Sequence, residues 1–579
     1  MDKILIKRGM KEKLEKSSPL SQGELFLAKD EERLYVGGPK GNISIPTKKE
    51  VDELTAQLEQ TDKEIDSLSI NIKKFSVIGD GVTDETDLIN DVIQYAVNNK
   101  FNSLYIPKDL NVAVYNVDIP DNFTIYGGGS LTLARPGHSI LRLNNNSRVR
   151  DIKFYSNFTN YNNSRLIDVR GKNNIIEGCS FNEGENYISH VGIYLFGTSR
   201  NTTIKNNYFT NSVFMIWGEG GAKDIFISGN YFTGGAEKSI VRPNGTFEVE
   251  GLGDAIKLSS GGAGRIIIQG NIFVDIYRDC LDCFSLGEEI IFSDNICIDT
   301  NILVADIKTT YRNEGDPLGT SNPQNPTKKI SIYNNYVRGK TVGTYDQSVF
   351  KISHASYRDD GLYQDISYSV HDIQIENNYI DVESVYVIDI RNSRNITVKN
   401  NVIRGSFERG IFARLGSENI SIENNEIYIG YTPNDVYGIY VDNISKSKIS
   451  NNNVIGDVES QSNIYPYSIR NCNELQVTGN KANTGEYCID CLNTKNTSLT
   501  NNHLYGANIA NIRIYNCEKT IISGNSLLNC ERGILLLGKP NKMLITSNSM
   551  IDCVTPISNL DFLVDSLVEN NSTIGHYQG

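Results

Sequence analysis

Three short stretches could do chemistry together: AIKLS at 255–259, CLDCF at 280–284 and VADIK at 304–308. Aligned on their apolar residues, they put Lys257, Asp282 and Asp306 in one register, 25 and 24 residues apart. Side chains alternate between the two faces of a strand, so Lys308 shares the side of Asp306. If the stretches are neighbouring strands, the backbones of Asp282 and Asp306 lie roughly 4.8 Å apart. Two carboxylates that close repel, so one takes up a proton near neutral pH. Acid/base glycoside cleavage needs such a pair: an acid that protonates the leaving oxygen, and a carboxylate that attacks or activates water. The spacing is nearer the retaining value than the inverting one. Asp279 adds a second acid at the same rim. Lys257 and Lys308 could neutralise an acidic sugar or a phosphate, or depress a neighbouring pKa. On a uronic acid substrate, a Lys or Arg base with a positive clamp would instead give a polysaccharide lyase.

Further candidates lie in the same row, which continues through Lys351, Asp389, Phe412, Tyr440, Asp490 and Arg513. Beside Lys351, the segment HASYRDDG offers His354 and Arg358 to a substrate. At the other end stand Tyr194, Trp217 and Glu219. Trp217, the one Trp of the chain, would stack on a sugar ring if exposed, or plug the core under the 233–252 loop. A charged row on an outward face also suits a plain ion-pair ladder, since structural networks perturb pKa values too.

What must position these residues is a repeat. The phrase apolar-x-x-Asn-x-apolar recurs, as in IKNNYF, ISGNYF, IYNNYV, VKNNVI, LTNNHL and ISGNSL. Its aligned residues are Asn207, Asn230, Asn271, Asn295, Asn335, Asn378, Asn401, Asn425, Asn452, Asn480, Asn502, Asn525, Asn548 and Asn571. Two weaker copies precede them, with Ile152 and Cys179 in the Asn position. Most steps are 22 to 28 residues, which suits three short strands per coil. Self-similarity of this kind signals a solenoid whose stacked coils bury one continuous core. The expected fold is mainly β: a right-handed parallel β-helix over 149–579. Asn suits a tight left-handed corner and can form an amide ladder when stacked. Three steps are long, at 41, 40 and 43 residues. They predict loops at 232–252, 308–328 and 338–370, which would wall a groove beside the candidate row.

Composition limits the rest. The chain has 579 residues and a formal charge of -13, which argues against a nucleic-acid partner. No run of eighteen apolar residues appears, and the N-terminus has no secretion-signal core, so neither membrane insertion nor export by a signal peptide is expected. Of the ten Cys, Cys472, Cys517, Cys530 and Cys553 recur at fixed repeat positions and read as buried core fillers, and the CxxC pairs Cys280/Cys283 and Cys488/Cys491 are by themselves weak zinc or redox signals. The six His form no ligand cluster, and no calcium-binding nonapeptide occurs, so no metal or cofactor is expected and an epimerase is disfavoured.

The first third differs. Residues 1–46 read as a small β module with turns at Gly23, Gly37/Gly38 and Gly41. Over 47–73, Val51, Leu54, Leu58, Thr61, Ile65, Leu68 and Ile72 form a 3-4 seam that predicts a short coiled-coil helix. Its side-chain choice leans toward two strands. Over 74–148, GDGVTDET makes a turn and a helix cap, followed by an amphipathic helix able to cover the open end of the β-helix, and then by the first strands.

GDGVTDET, a helix and LYIP ahead of Asn-rich coils resemble the start of the pectate-lyase-like β-helix domain of phage tailspikes and polysaccharide-degrading enzymes. The commoner Pro-x-Gly-x-Tyr turn is replaced by Pro107-Lys108-Asp109. IKRG, GELFLA and DEERLYVG resemble the virion-attachment module of tail-fibre and baseplate proteins of phages infecting Gram-positive hosts. These resemblances imply a homotrimer on a phage particle, docked by residues 1–46 to tail or baseplate proteins. They imply recognition of a host surface polysaccharide or a teichoic-acid-like polymer. The fold itself serves hydrolases, lyases and non-enzymatic glycan-binding adhesins alike.

Overall fold

The computed structural model describes residues 7–9, 25–28, 33–38, 41–45 and 69–575. Within that last range it leaves out 157–163, 185–188, 220, 236–237, 242–246, 251–252, 260–262, 285–286, 301–302, 312–326, 341–347, 357–369 and 457–462. Most of the heptad seam and Gly23 therefore lie outside the described residues, as does much of the second and third long loops.

Residues 7–45 carry a four-stranded sheet. Lys7–Gly9 pairs parallel with Leu25–Ala28, which pairs antiparallel with Arg33–Gly38, and that strand pairs antiparallel with Gly41–Ile45. The last hairpin turns between Gly38 and Gly41, where glycines were expected to turn it.

The rest is a right-handed parallel β-helix. The strands stack in three columns, and in some coils one long strand, such as Tyr379–Arg391 or Val402–Arg414, serves both the second and the third. The first column contains Lys223–Ser228, Ala263–Gln269, Gly287–Ser293 and Thr327–Tyr333. The second contains Tyr231–Thr233, Ile272–Val274, Ile296–Ile298 and Tyr336–Lys340. The third contains Ser212–Glu219, Asp254–Ser259, Asp279–Phe284, Leu303–Tyr311 and Ser348–Ser356. All pair in parallel with the next coil. The long step from 230 to 271 holds an extra antiparallel hairpin, Lys238–Val241 with Phe247–Glu250.

The repeat Asn stands between the first and second columns and forms an unbroken amide ladder. The Asn401 side chain makes all four bonds open to it. Its Nδ2 donates to Asn425 Oδ1 at 3.0 Å and to the Ile375 carbonyl at 2.8 Å. Its Oδ1 accepts from the Asn378 main-chain N at 3.0 Å and Nδ2 at 2.9 Å. The same link joins every neighbour from Asn207 to Asn571. Cys179 takes the position below Asn207, and its thiol meets the Val149 carbonyl as an amide would.

One part of the sequence reading needs correction. The left-handed corner residue is not the ladder Asn but the residue before it: Asn206, Asn334 and Asn400 near φ 55 to 57, with Gly229, Gly270, Gly479 and Gly524 in other coils. The ladder residue needs an amide, whereas the corner needs only a left-handed backbone, so glycine substitutes freely there.

Inside, Phe154, Phe181, Phe209, Phe232, Phe273 and Phe292 form a stack with ring centroids 4.5 to 5.9 Å apart. The described cysteines are all free and nine of the ten are buried. The helix Thr86–Asn98 is fixed to the first coil by its N-terminal turn. Asp84 accepts from the Thr86 main chain at 3.1 Å, and Thr86 Oγ1 accepts from Tyr115 N at 3.0 Å. Its Ile89, Val92 and Ile93 are buried.

Asn401→Ala should lower the thermal midpoint clearly, because it strands buried donors and a carbonyl that each cost about 1–3 kcal/mol when unmade. Asn400→Gly, one residue earlier, should cost little. Equal melting of the two variants by calorimetry would show that the ladder does not hold the coils.

Candidate functional site

The register predicted from sequence is the register observed. Trp217, Lys257, Asp282 and Asp306 are successive partners in the third column. The row continues through Lys351, Asp389, Phe412, Tyr440, Ser468, Asp490 and Arg513. Below Trp217 it runs through Tyr194 to Asp168. Alternation explains the placement: Leu281 and Cys283 enter the core, so Asp282 between them faces outward.

Outward does not mean exposed here. Asp254 and Asp279 are 0% exposed, Asp282 1% and Asp306 2%. The cations above them reach further out: Lys257 is 18%, Lys308 12% and Arg278 30% exposed at the side chain. Lys257 Nζ lies 2.9 Å from Asp282 Oδ2 and 3.5 Å from Asp254 Oδ2. Lys308 Nζ lies 3.0 Å from Asp282 Oδ1 and also pairs with Asp306. Arg278 Nε is 3.7 Å from Asp279 Oδ2.

These contacts change the expected roles. Burial alone would raise Asp282, but Lys257, Lys308 and Arg278 overcome it and hold the group well below the usual carboxylate range. Asp282 is therefore the ionised member. The Lys308 ammonium stands between it and Asp306. Burial raises Asp279, and the nearby Asp254 carboxylate raises it further. Asp254 is likewise raised, first by burial and then by Asp282. The carboxylate oxygens of Asp254, Asp279 and Asp282 all come within 4.8 Å of one another. Among the described residues, neither oxygen of Asp254 or Asp279 has a hydrogen-bond partner.

Among the described residues, Asp254, Asp279, Asp282 and Asp306 face Lys257, Lys308 and Arg278 in this cluster. Burial and a neighbouring carboxylate raise both Asp254 and Asp279, so this pair is disposed to take up a proton. Three converging carboxylates could also hold a divalent cation, but the two lysine ammonium groups fill the space beside Asp282. Desolvation would lower both lysines, yet the aspartates around them raise both, so each stays protonated. A lysine base, as the lyase alternative needs, would have to give up a proton that these aspartates hold in place.

Asp254 and Arg278 escaped the sequence reading. Their signal was the phrase itself, since Asp254-Ala-Ile-Lys257 and Asp279-Cys-Leu-Asp282 repeat an acid three residues ahead of the row. Trp217 is half-buried rather than open. Its ring meets His190, Tyr194 and Phe214 at centroid distances of 4.9 to 5.9 Å, and its Nε1 donates to Ser259 Oγ at 2.6 Å. Asp389 is taken by Arg391 and Arg414. Arg358 and the side chains of Glu219 and His354 lie outside the described residues.

Comparisons with known proteins complete the description. Residues 450–561 match the model of the periplasmic copper-binding protein (NosD) family, about a fifth of the chain. Among the described residues of that stretch, no three His, Cys, Asp or Glu side chains converge as copper ligands would, so the match follows the repeat. No curated protein matches the chain. Among solved structures, the chain is similar to the tailspike protein of E. coli bacteriophage HK620 in complex with a pentasaccharide. Identity there is 10% and the TM-score 0.45, with 78% of this chain and 77% of that one covered. It is similar to an α-1,3-glucanase from Streptomyces thermodiastaticus at 13% identity and TM-score 0.40, covering 69% and 65%. A third is an exopolygalacturonase from Thermotoga maritima at 11% identity and TM-score 0.35, covering 68% and 88%. Likeness at this level speaks to fold alone. Among the described residues, no helix is long and apolar enough to cross a membrane.

The pKa directions fix opposite signs for two substitutions. The depressed Asp282 contributes stability above its unfolded value, lost as pH falls through the folded one. The raised Asp254 and Asp279 favour the fold in acid, and that contribution is lost as pH rises. Near neutral pH, Asp282→Asn should therefore lower the melting temperature, whereas Asp279→Asn should keep or raise it. Scanning fluorimetry decides; a clear destabilisation by Asp279→Asn would place the proton elsewhere.

Proposed function

We propose that this chain cleaves glycosidic bonds in an acidic surface polysaccharide, at the cluster of Asp254, Asp279 and Asp282. The observation that carries this reading is the Asp254–Asp279 pair. Two buried carboxylates without hydrogen-bond partners oppose folding near neutral pH, and a merely structural ladder gains nothing from them. They supply a proton donor at neutral pH, which glycoside cleavage requires.

In this reading, Asp279 protonates the leaving oxygen, with Asp254 holding its pKa up. Asp282 stays ionised and faces the positive charge that develops at the sugar ring. A separation below 4.8 Å leaves little room for a water between the carboxylates and favours the retaining course over the inverting one. Lys257, Lys308 and Arg278 at the rim suit a substrate with carboxylate or phosphate groups. Asp306 and Lys351 continue the polar floor, and Tyr194 and Trp217 form its aromatic end. A second reading, an ion ladder in a protein that only binds glycan, is favoured by the low exposure of the four aspartates.

The resemblances of the first third complete the proposal: a homotrimeric spike of a phage tail, docked through residues 1–46 and exposed to a host surface polymer. Light scattering on the full chain should then report a trimer, and a stable monomer would remove that part.

Turnover decides between the two readings. Incubation with purified bacterial surface polymers should release fragments one water heavier than the excised unit, read by mass spectrometry. An unsaturated product would mean a lyase. Asp279→Asn and Asp282→Asn should each lose about 10²- to 10⁴-fold in turnover while still binding intact polymer. The pH profile should be bell-shaped, with its acidic limb below the ordinary carboxylate range from Asp282 and its basic limb above it from Asp279. Unchanged turnover in both variants would reduce the cluster to an ion ladder.

A further inference from the structure

Four rungs beyond Asp306, roughly 19 Å along the helix, the same outward face changes character. Acids give way to rings: Tyr386, Phe412, Tyr440, Tyr437, Tyr465 and Tyr487 follow one another with centroids 4.8 to 6.3 Å apart. Two guanidinium groups share the centre of this strip. Arg409 lies 5.4 Å from the Tyr440 ring centre and 5.7 Å from that of Tyr437. Arg470 lies 5.1 and 5.8 Å from the same two rings.

Neither arginine has a carboxylate within ion-pair reach among the described residues, and the Nε of each is buried without a hydrogen-bond partner. The acids nearby are bound to other donors. Glu408 accepts from Asn434 at 2.8 Å, Asp442 from Asn471 at 2.8 Å, and Glu486 from the Tyr465 hydroxyl at 2.8 Å. Asp389 is held by Arg391 and Arg414. Two like charges are thus kept together by ring faces alone, with donor edges unspent. An anion between them would relieve the repulsion and complete their hydrogen bonds.

We propose that Arg409 and Arg470, seated on Tyr437 and Tyr440, bind an anionic group of a polymer, either the carboxylate of an acidic sugar or a backbone phosphate. The half-buried faces of Tyr437 and Tyr465 take the adjoining ring or chain. The site stands apart from the acid cluster and holds polymer whether or not that cluster cleaves it.

Calorimetric titration of the full chain tests this with three oligomers: oligogalacturonate, oligo(glycerol phosphate) and neutral dextran. One anionic oligomer should bind, ever more weakly as sodium chloride is raised, while dextran does not. Oligogalacturonate alone would identify the carboxylate source, and oligo(glycerol phosphate) alone the phosphate. Arg409→Gln with Arg470→Gln should weaken binding at least about tenfold without changing the melting temperature, and the double lysine variant should lose less. If the glutamine pair melts early, the lysine pair and the salt titration of the unmodified chain decide instead. Binding of neither anion, equal binding of dextran, indifference to salt, or full affinity in a normally melting double variant would each overturn the site.

Discussion

From Asn207 to Asn571, each ladder amide donates to the next and accepts from the last, and that exchange sets where every other side chain can go. The ladder is indifferent to how much chain lies between its members. A step of 22 residues and one of 43 end in the same bond at 3.1 and 2.9 Å. Long insertions therefore leave the coil without shifting the strands that follow. Lys257, Asp282 and Asp306 stay in one column although Lys257 lies within a 41-residue step and Asp306 within a 40-residue one.

Stacking at a fixed rung spacing has an electrostatic consequence. Any residue meets its counterpart one coil away at roughly 4.8 Å, so a charge repeated along a column repels itself unless something intervenes. Along the candidate row the intervening groups are cations from the same face: Lys257 below Asp282, and Lys308 between Asp282 and Asp306. Farther along, Arg391 and Arg414 do this for Asp389, and Arg513 for Asp490. Asp254 and Asp279 are different. Lys257 and Arg278 touch them only at 3.5 and 3.7 Å, and neither makes a hydrogen bond with them. Two positions in one structure thus have their carboxyl pKa values pushed in opposite directions, with cation distances that differ by under an ångström.

That is why the fold was easier to read than the site. The period of IKNNYF and its copies shows directly which residues share a column, and the alternation of AIKLS and CLDCF shows which face they take. Both follow from covalent spacing. The protonation states follow from burial and from side-chain reach, which spacing does not contain. Asp282 and Asp306 read as a proton-sharing pair because their backbones are adjacent, but the Lys308 side chain folds back two residues to stand between them. Asp254 is not legible from the row, because it stands three residues off it. The corner residue was misassigned for a related reason: in an Asn-Asn pair, sequence alone does not say which amide turns the backbone and which joins the ladder. In ISGNYF the Gly occupies the turn, and that copy resolves the ambiguity.

The arrangement of donors and clamps also bears on how the proposed cleavage would select its substrate. In the free protein, Lys257 and Lys308 hold Asp282 in its least basic state, which makes it a poor partner for a developing positive charge. With Arg278, they are the groups of the cluster nearest the surface. A substrate bearing its own carboxylate or phosphate at that point would draw the two ammonium groups toward itself. Each ångström by which a lysine leaves Asp282 weakens a pairing that is strong only because it is dry. Asp282 would become more basic as the sugar arrives, while burial and Asp254 would keep the Asp279 pKa raised. An uncharged glycan of the same shape would leave the lysines in place and Asp282 unresponsive. Selectivity for an acidic polymer would then reside in the chemical step as well as in binding, with the rim cations releasing the carboxylate only when another anion takes them over.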